Sequence, residues 1–132
     1  MKVSNFLDEN EIGEIVLDSA VKLHMATGPG LFESVYEVLL CQMLTERGLK
    51  VKRQVTIPIQ LGGLSFKEGF RADMIVQNKV ILELKSVERT CPAHRKQLVT
   101  YLKLSGLKLG FLLNFGESRM KDGITRLING LL

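Results

Sequence analysis

The chain has 132 residues, 45% of them hydrophobic and 24% charged, which is the composition of a globular domain and excludes a disordered segment. Its net charge of +4 permits a polyanionic partner without requiring one. The two cysteines, Cys41 and Cys91, form no CxxC pair, which argues against a disulfide scaffold and a zinc knuckle.

The N-terminal stretch MKVSNFLDENEIGE is acidic and lacks the apolar core of a signal peptide. No uninterrupted apolar run approaches the roughly 20 residues that a membrane span needs. We therefore expect a single domain over residues 1–132 that is cytoplasmic and does not associate with a membrane.

Two amphipathic helices are predicted in the first third of the chain. Apolar residues recur at helical spacing over residues 10–26, and the sequence TGPG at 27–30 ends that helix. This stretch is too short, and too constrained by Pro29, to cradle a phosphate. A second apolar stripe predicts a helix over residues 31–47, which Gly48 ends.

The period of the apolar residues then changes to two. VKRQVTIPIQL at 51–61 and LSFKEGFRADMIVQ at 64–77 predict two strands joined by a tight turn at Gly62 and Gly63. Pro58 indicates that part of the first strand lies at a sheet edge. Four more elements are predicted: a strand at 79–87, a helix from Pro92 to about residue 104, a buried strand at 108–116 and a short strand in the tail GITRLING.

This order of elements predicts an α/β fold in which helices cover a mixed sheet. The crossover from the third strand through the third helix to the fourth strand is long. It is long enough to make those two strands parallel neighbours.

The second and third strands carry charged residues where a sheet normally takes apolar ones. One face of the second strand is predicted to be apolar and carries Ala72, Met74 and Val76. A three-residue connection that pairs Val76 with Val80 would align this face with the apolar face of the third strand. The same register sets Asp73 opposite Glu83, with roughly 5 Å between their Cβ atoms.

Two carboxylates this close repel each other and favour protonation, unless a divalent cation lies between them. Carboxylate oxygens are ligands that Mg²⁺ prefers, and Lys85 follows Glu83 on the same face, within reach of a phosphate. Asp73, Glu83 and Lys85 therefore predict either a metal site or a solvent-exposed ladder of Glu and Lys on a half-covered sheet. The spacing alone leaves both open.

Two helices give weaker indications of a site. Glu33 and Tyr36 lie one turn apart at the start of the second helix, where a carboxylate also favours the helix dipole. His94, Gln97 and Tyr101 form a polar stripe on the third helix, and this stripe taken alone favours a solvated face. An ordinary structural role on a helix face or in the core is expected for His24, His94 and Cys41.

Taken together, these segments resemble the GxxExxY family, a small branch of the PD-(D/E)XK nuclease superfamily. GPGLFESVYEVLL carries the name motif as Gly30, Glu33 and Tyr36. RADMIV followed by VILELKSV matches the Asp…Glu-x-Lys core of the superfamily. HRKQLVTYLKLSG matches its Gln-x-x-x-Tyr helix, and GFLLNFG resembles its final core strand.

The resemblance implies a restriction-endonuclease-like αβββαβ core and metal-dependent hydrolysis of phosphodiester bonds. Asp73 and Glu83 would hold Mg²⁺ or Mn²⁺ together with the backbone carbonyl of Leu84. Glu33 would bind the same ion through water or help a second one. Lys85 would position the attacking water and stabilise charge that develops on the phosphate.

The substrate implied by the resemblance is nucleic acid, and DNA is the expected kind. Gln97 and Tyr101 would orient the strand or brace Lys85, and Tyr36 belongs to the same predicted substrate-binding set. Candidate contacts to the nucleic-acid backbone are Arg71, Arg89, Arg95 and Lys96.

Two other interpretations compete with a nuclease. One is a catalytically silent module on the same fold that binds nucleic acid or a protein partner. The chain has no separate DNA-reading motif, which predicts weak, nonspecific activity or dependence on a homodimer or an unknown partner. The other is a purely structural interaction domain, which would bind no metal.

Overall fold

The computed structural model describes residues 6–132, so the first five residues of the predicted domain lie outside it. The helices are α1 (Glu9–Thr27), α2 (Glu33–Glu46) and α3 (Pro92–Ser105), with a short 3-10 helix at Met120–Gly123. The strands are β1 (Val51–Leu61), β2 (Leu64–Val76), β3 (Val80–Lys85), β4 (Leu109–Asn114) and β5 (Ile124–Ile128). These bounds confirm the predicted order of elements, including the short strand in the tail.

Local chemistry sets the ends of the helices. Asp8 caps α1, because its carboxylate accepts the Glu11 N–H at 2.8 Å while the Glu11 carboxylate accepts the Asp8 N–H at 3.0 Å. Helix α3 begins at Pro92, which needs no backbone donor there, and it ends at Gly106 with φ of 75°. None of the helices within residues 6–132 is long and apolar enough to cross a membrane.

The strands form one mixed sheet in the order β1-β2-β3-β4-β5. Strands β3 and β4 are parallel, as the long crossover through α3 predicts, and the other neighbours are antiparallel. Strand β1 lies at one edge, which confirms the position predicted from Pro58.

Helices cover both faces of this sheet. On one side, α1 and α2 pack on a core that includes Leu82, Leu84 and Phe111. On the other side, Leu98 and Leu102 of α3 pack against a second cluster that includes Ile75, Ile81 and Leu112. The fold is therefore the α/β architecture expected from the sequence.

The connection between β2 and β3 has the predicted length and register. Val76 pairs with Val80 and Met74 with Leu82, and the Lys79 N–H donates to the Val76 carbonyl at 3.0 Å. Gln77 and Asn78 close the turn with φ of 55° and 54°.

The predicted apolar face of β2 is wrong at Ala72, which packs in the second cluster rather than with Met74 and Val76. The alternation is interrupted beside Gln54 of β1, which lies between the partners of Met74 and Ala72 and has φ of 51°. Residues with positive φ twist a strand locally, so simple parity does not carry through this point.

Candidate active site

Asp73 and Glu83 meet where the regular pairing of β2 with β3 gives way to side-chain contacts. The Asp73 N–H donates to Glu83 Oε1 at 3.4 Å. The Leu84 N–H donates to Asp73 Oδ2 at 2.8 Å, so a carboxylate accepts the hydrogen bond of a strand amide. The register anchored at Val76 and Val80 therefore brings the two carboxyl groups into contact.

Glu83 is buried although it carries an ionisable group. Only 7% of the residue is exposed, so the alternative of a solvent-exposed Glu and Lys ladder does not hold. Burial, and then the neighbouring Asp73 carboxylate, raise the pKa of Glu83 to about 9, while the Lys85 ammonium opposes the shift to a smaller extent. At neutral pH and without a cation, Glu83 therefore keeps its proton.

Tyr101 of α3 lies near this acid pair, on the face of the sheet that α3 covers. Its ring stacks on Phe70 of β2, with the ring centroids 4.1 Å apart. Burial raises the pKa of Tyr101, and the charges of Glu83 and Asp73 raise it further. The hydroxyl therefore lies in the field of the acid pair, and its contact with nucleic acid or with Lys85 stays a prediction.

The donor set fits a divalent cation. Two carboxyl groups are held in contact, and Glu83 keeps a proton because its burial and the Asp73 carboxylate outweigh the opposing effect of the Lys85 ammonium. A cation that replaced this proton would satisfy both carboxylates with the oxygen ligands that Mg²⁺ and Mn²⁺ take. The Leu84 carbonyl stays a predicted third ligand.

Glu33 lies apart from this pair. Within residues 6–132, no three His, Cys, Asp or Glu side chains are grouped so that they could hold a metal ion. Direct ligation of a shared ion by Glu33, Asp73 and Glu83 is therefore not supported. A role for Glu33 through water stays a prediction.

Tyr36 has a structural role in place of the predicted contact with substrate. It is fully buried, and its ring stacks on Phe115 with centroids 4.4 Å apart. Its hydroxyl donates to the Gly28 carbonyl at 2.6 Å and accepts the Leu31 N–H at 3.2 Å. Tyr36 fixes the turn between α1 and α2, and it presents no surface to a substrate.

The other predicted site residues remain in solvent. Gln97 and Arg71 are exposed, and so are Arg89, Arg95 and Lys96. Their predicted contacts with nucleic acid stay predictions. The remaining side chains have the expected structural roles: Nε2 of the buried His24 lies 2.8 Å from the Glu117 carbonyl, His94 caps α3 and Cys41 packs against the core.

Asn114 of β4 is a site residue that the sequence reasoning missed. It pairs with Lys85, is 1% exposed, and its Oδ1 accepts the N–H groups of Val87 at 3.1 Å and Gly116 at 3.0 Å. It therefore holds the segment that follows Lys85. The sequence does indicate this residue, because Asn114 is the one polar side chain in the otherwise apolar run GFLLNF.

An ion pair with one buried partner, Glu37, supports β1, the strand that neighbours Asp73. Glu37 of α2, 6% exposed, accepts hydrogen bonds from Arg53 Nη2 and Gln54 Nε2, each at 2.7 Å. Gln54 lies opposite Asp73 and has φ of 51°, which costs free energy for a residue other than glycine. Glu37 therefore holds a strained residue beside the acid pair.

A mixed sheet with helices on both faces, carrying a buried acid pair and a lysine at the end of β3, defines a restriction-endonuclease-like protein. A sequence model of the PD-(D/E)XK nuclease superfamily matches residues 10–127, so the chain belongs to that superfamily. The match does not resolve the GxxExxY branch.

The chain is also similar to the crystal structure of SSO0001, at 21% identity and a TM-score of 0.42. The similarity covers 92% of this chain and 79% of that one. No curated protein matches the chain.

Proposed function

We propose that the chain is a divalent-metal-dependent nuclease of the GxxExxY branch that hydrolyses phosphodiester bonds, with DNA as its substrate. The observation that carries the proposal is the contact of the half-buried Asp73 with the buried Glu83, beside Lys85. Two mutually repelling carboxyl groups in a covered sheet cost free energy, and the binding of a divalent cation would offset that cost.

Asp73, Glu83 and the Leu84 carbonyl would hold Mg²⁺ or Mn²⁺. The bound ion would supply Lewis acidity to the phosphodiester and promote ionisation of the attacking water. The orientation of the water, the stabilisation of charge and the binding of the strand would be carried out by side chains of the protein.

Lys85 is the proposed electrostatic catalyst. Its ammonium lies close enough to Glu83 to lower the pKa of that carboxyl group, so it faces the acid pair. There it would orient the water and stabilise negative charge that develops on the phosphate. Tyr101, held by its stack on Phe70, would donate its hydroxyl hydrogen to the phosphate or to a water beside it.

The exposed cations would bind the strand. Arg95 and Lys96 lie on α3, and Arg71 lies on β2, two residues before Asp73. Their contacts would go to phosphates and would carry no sequence information. Gln97 would orient the strand from the same helix.

A silent binding module is the second candidate function. Leu61, Leu64 and Phe66 at the tip of the β1–β2 hairpin are 74%, 64% and 54% exposed, which favours a protein partner or a second copy of the chain. The same fold would then present the acid pair without turnover.

Cleavage of linear duplex DNA, closed circular DNA, single-stranded DNA and RNA distinguishes these functions. We expect cutting with Mg²⁺ or Mn²⁺, none with EDTA, and a loss of about 100-fold or more in Asp73→Ala and Lys85→Ala. The control is Lys103→Ala, an exposed lysine near the end of α3, which should cut like the unmodified protein. Absence of cutting with every metal and substrate would refute the nuclease and favour the binding module.

A further inference from the structure

A cleft of about 500 Å³ opens beside the end of β3. The turn before α2 forms one wall through Phe32 and Glu33, and Ser86, Val87 and Glu88 form the other. Ser86 directly follows Lys85, so anything bound in the cleft is one residue away from the proposed electrostatic catalyst. Among the residues that line the cleft, only Glu33 has a predicted role in the nuclease, at the metal through water.

Phe32 is an unusual residue for its position. It is the N-cap of α2, where Ser, Thr, Asp or Asn would accept a hydrogen bond from the helix, and it makes no such bond. Its side chain is 82% exposed. The fold gains neither a cap nor buried apolar area from this aromatic ring.

The turn that carries Phe32 is held rigidly. The Tyr36 hydroxyl ties Gly28 to Leu31, and Ser86 Oγ donates to the Leu31 carbonyl at 2.5 Å. The last bond joins the two walls of the cleft. The ring is therefore presented from a fixed backbone, which lowers the entropy that a stacking contact would lose on binding.

The charges in the cleft disfavour a phosphate and favour hydrogen-bond donors. Glu33 and Glu88 line it, and both are exposed carboxylates. Lys85 and Arg89 are close in sequence to the cleft but do not line it, and Arg95 and Lys96 border a separate groove on α3. The charges would therefore be complementary to a nucleic-acid strand that crosses the site with its phosphates facing the cations and one base facing the carboxylates.

We propose that this cleft binds one unpaired nucleobase, stacked on Phe32, whose exocyclic amino group donates to Glu33 or Glu88. Aromatic side chains bind bases of single strands in this way, since every base offers a flat face. The inference rests on the proposed nuclease function and narrows its substrate to a strand with an unpaired base at the cut. Cytosine and adenine carry the required amino group, and thymine does not.

Binding in EDTA tests the inference without cleavage. The probes are fluorescent oligo(dC) and oligo(dT) of 15 nucleotides and a closed duplex. We expect oligo(dC) to bind most tightly, and Phe32→Ala to weaken its binding by about tenfold, while Phe32→Tyr restores it. Glu88→Gln should reduce the preference for oligo(dC) over oligo(dT). Ile128→Ala is the control, since Ile128 is 47% exposed on β5 at the end of the sheet opposite Lys85, and it should change nothing.

A second readout uses the absence of tryptophan from the sequence. Trp introduced as Phe32→Trp would be the sole indole, and stacking on a base should quench its fluorescence when oligo(dC) is added. Ile128→Trp, at the end of the sheet opposite Lys85, should show no quenching.

The inference and the nuclease function fail in different ways. Unchanged binding in Phe32→Ala, or equal binding of oligo(dC) and oligo(dT), would overturn the base site while metal-dependent cleavage by the same proteins still supported the nuclease. Cleavage that is absent in every protein would instead remove the proposed function on which the inference rests.

Discussion

Glu83 is the residue whose surroundings differ most from what its chemistry prefers. A carboxyl group with 7% exposure lies between apolar neighbours on β3 and beside a second carboxyl group. In water it would ionise near its ordinary value of 4.5, but in the folded chain it holds its proton to about pH 9. Its state is therefore linked to folding and to the binding of a cation.

This linkage predicts how stability depends on pH when divalent cations are absent. Between about pH 4.5 and 9 the folded chain keeps a proton that the unfolded chain has released. The stability contributed by Glu83 is therefore full below about pH 4.5 and is lost as the pH rises toward 9. Urea unfolding in EDTA at several pH values should show this decline.

Glu83→Gln provides the comparison, because it removes the ionisation and keeps the side-chain shape. The difference in unfolding free energy between it and the unmodified chain should change steadily over this pH range. The exposed Glu88→Gln should give a curve parallel to that of the unmodified chain. Added Mg²⁺ should stabilise the unmodified chain more at pH 8 than at pH 6, and a pH-independent effect of Mg²⁺ would contradict the linkage.

Single residues were predictable where spacing determined them. The pairing of Val76 with Val80 followed from the alternation of apolar residues, and it was sufficient to bring Asp73 to Glu83. Tyr36 shows the limit, because a residue in a recognisable motif can be required by the fold alone. Its buried hydroxyl bonds to a turn whose geometry no local pattern specified.

At the scale of elements, an ion pair between the buried Glu37 and the partly exposed Arg53 joins α2 to β1. Arg53 and Gln54 of β1 converge on Glu37, whose side chain is 8% exposed. Breaking such a pair leaves a buried charge without a sufficient partner. This contact also supports the strained backbone of Gln54, which neighbours Asp73.

Arg53→Ala should lower the free energy of unfolding by about 2–3 kcal/mol, because Glu37 then keeps only the Gln54 amide as a partner. Lys22→Ala is the matched control, since it breaks the exposed Lys22–Asp18 pair and should cost less than about 0.5 kcal/mol. Denaturant unfolding measures both. Equal losses would show that the Glu37 pair is no more important than a surface contact.

A close approach between two loops constrains Gly116, which follows β4. A Cβ added there would lie 2.1 Å from the Val87 carbonyl oxygen, so the backbone would have to move. Gly116→Ala should cost about 1–3 kcal/mol of stability. Gly110→Ala should cost less, because its nearest neighbour, at 3.1 Å, is the flexible end of Leu98.

The bounds of β1 and the start of α3 were predictable, because periodicity and Pro92 mark them directly. The interruption at Gln54 was not, because glutamine has no preference for positive φ and its side-chain partner, Glu37, is distant in sequence. Alternation also predicted the wrong face of β2 for Ala72, because the interruption at Gln54 could not be foreseen. Long-range contacts override alternation where a strand is strained.

At the scale of the whole molecule, cations and the acid pair occupy different places. Arg95 and Lys96 lie on the outer surface of α3, while Glu83 is covered by that helix and the sheet. The groups that give the chain its net charge of +4 are therefore exposed mainly outside the acid pair. We therefore expect the exposed cations to attract a polyanion to a surface that is separate from the acid pair.

The double variant Arg95→Ala/Lys96→Ala should weaken binding of single-stranded DNA in EDTA and make it less sensitive to salt. Each lost phosphate contact reduces the slope of log affinity against log salt by about 0.7. The control is Lys108→Ala, which precedes β4 at the end of the sheet opposite Lys85 and Asn114. A slope that the double variant leaves unchanged would exclude these two residues from backbone contact.

The three-residue connection between β2 and β3 also has a consequence for the order of folding. Asp73 and Glu83 are ten positions apart in the sequence and meet through a local hairpin, which forms within about 1–10 μs in isolated peptides. Strand β4 pairs with β3 only after the chain has passed through α3, so these contacts join residues farther apart in sequence and form more slowly. We therefore expect the acid pair to assemble while it is still hydrated, so that Glu83 takes up its proton or a cation from bulk water before α3 encloses it.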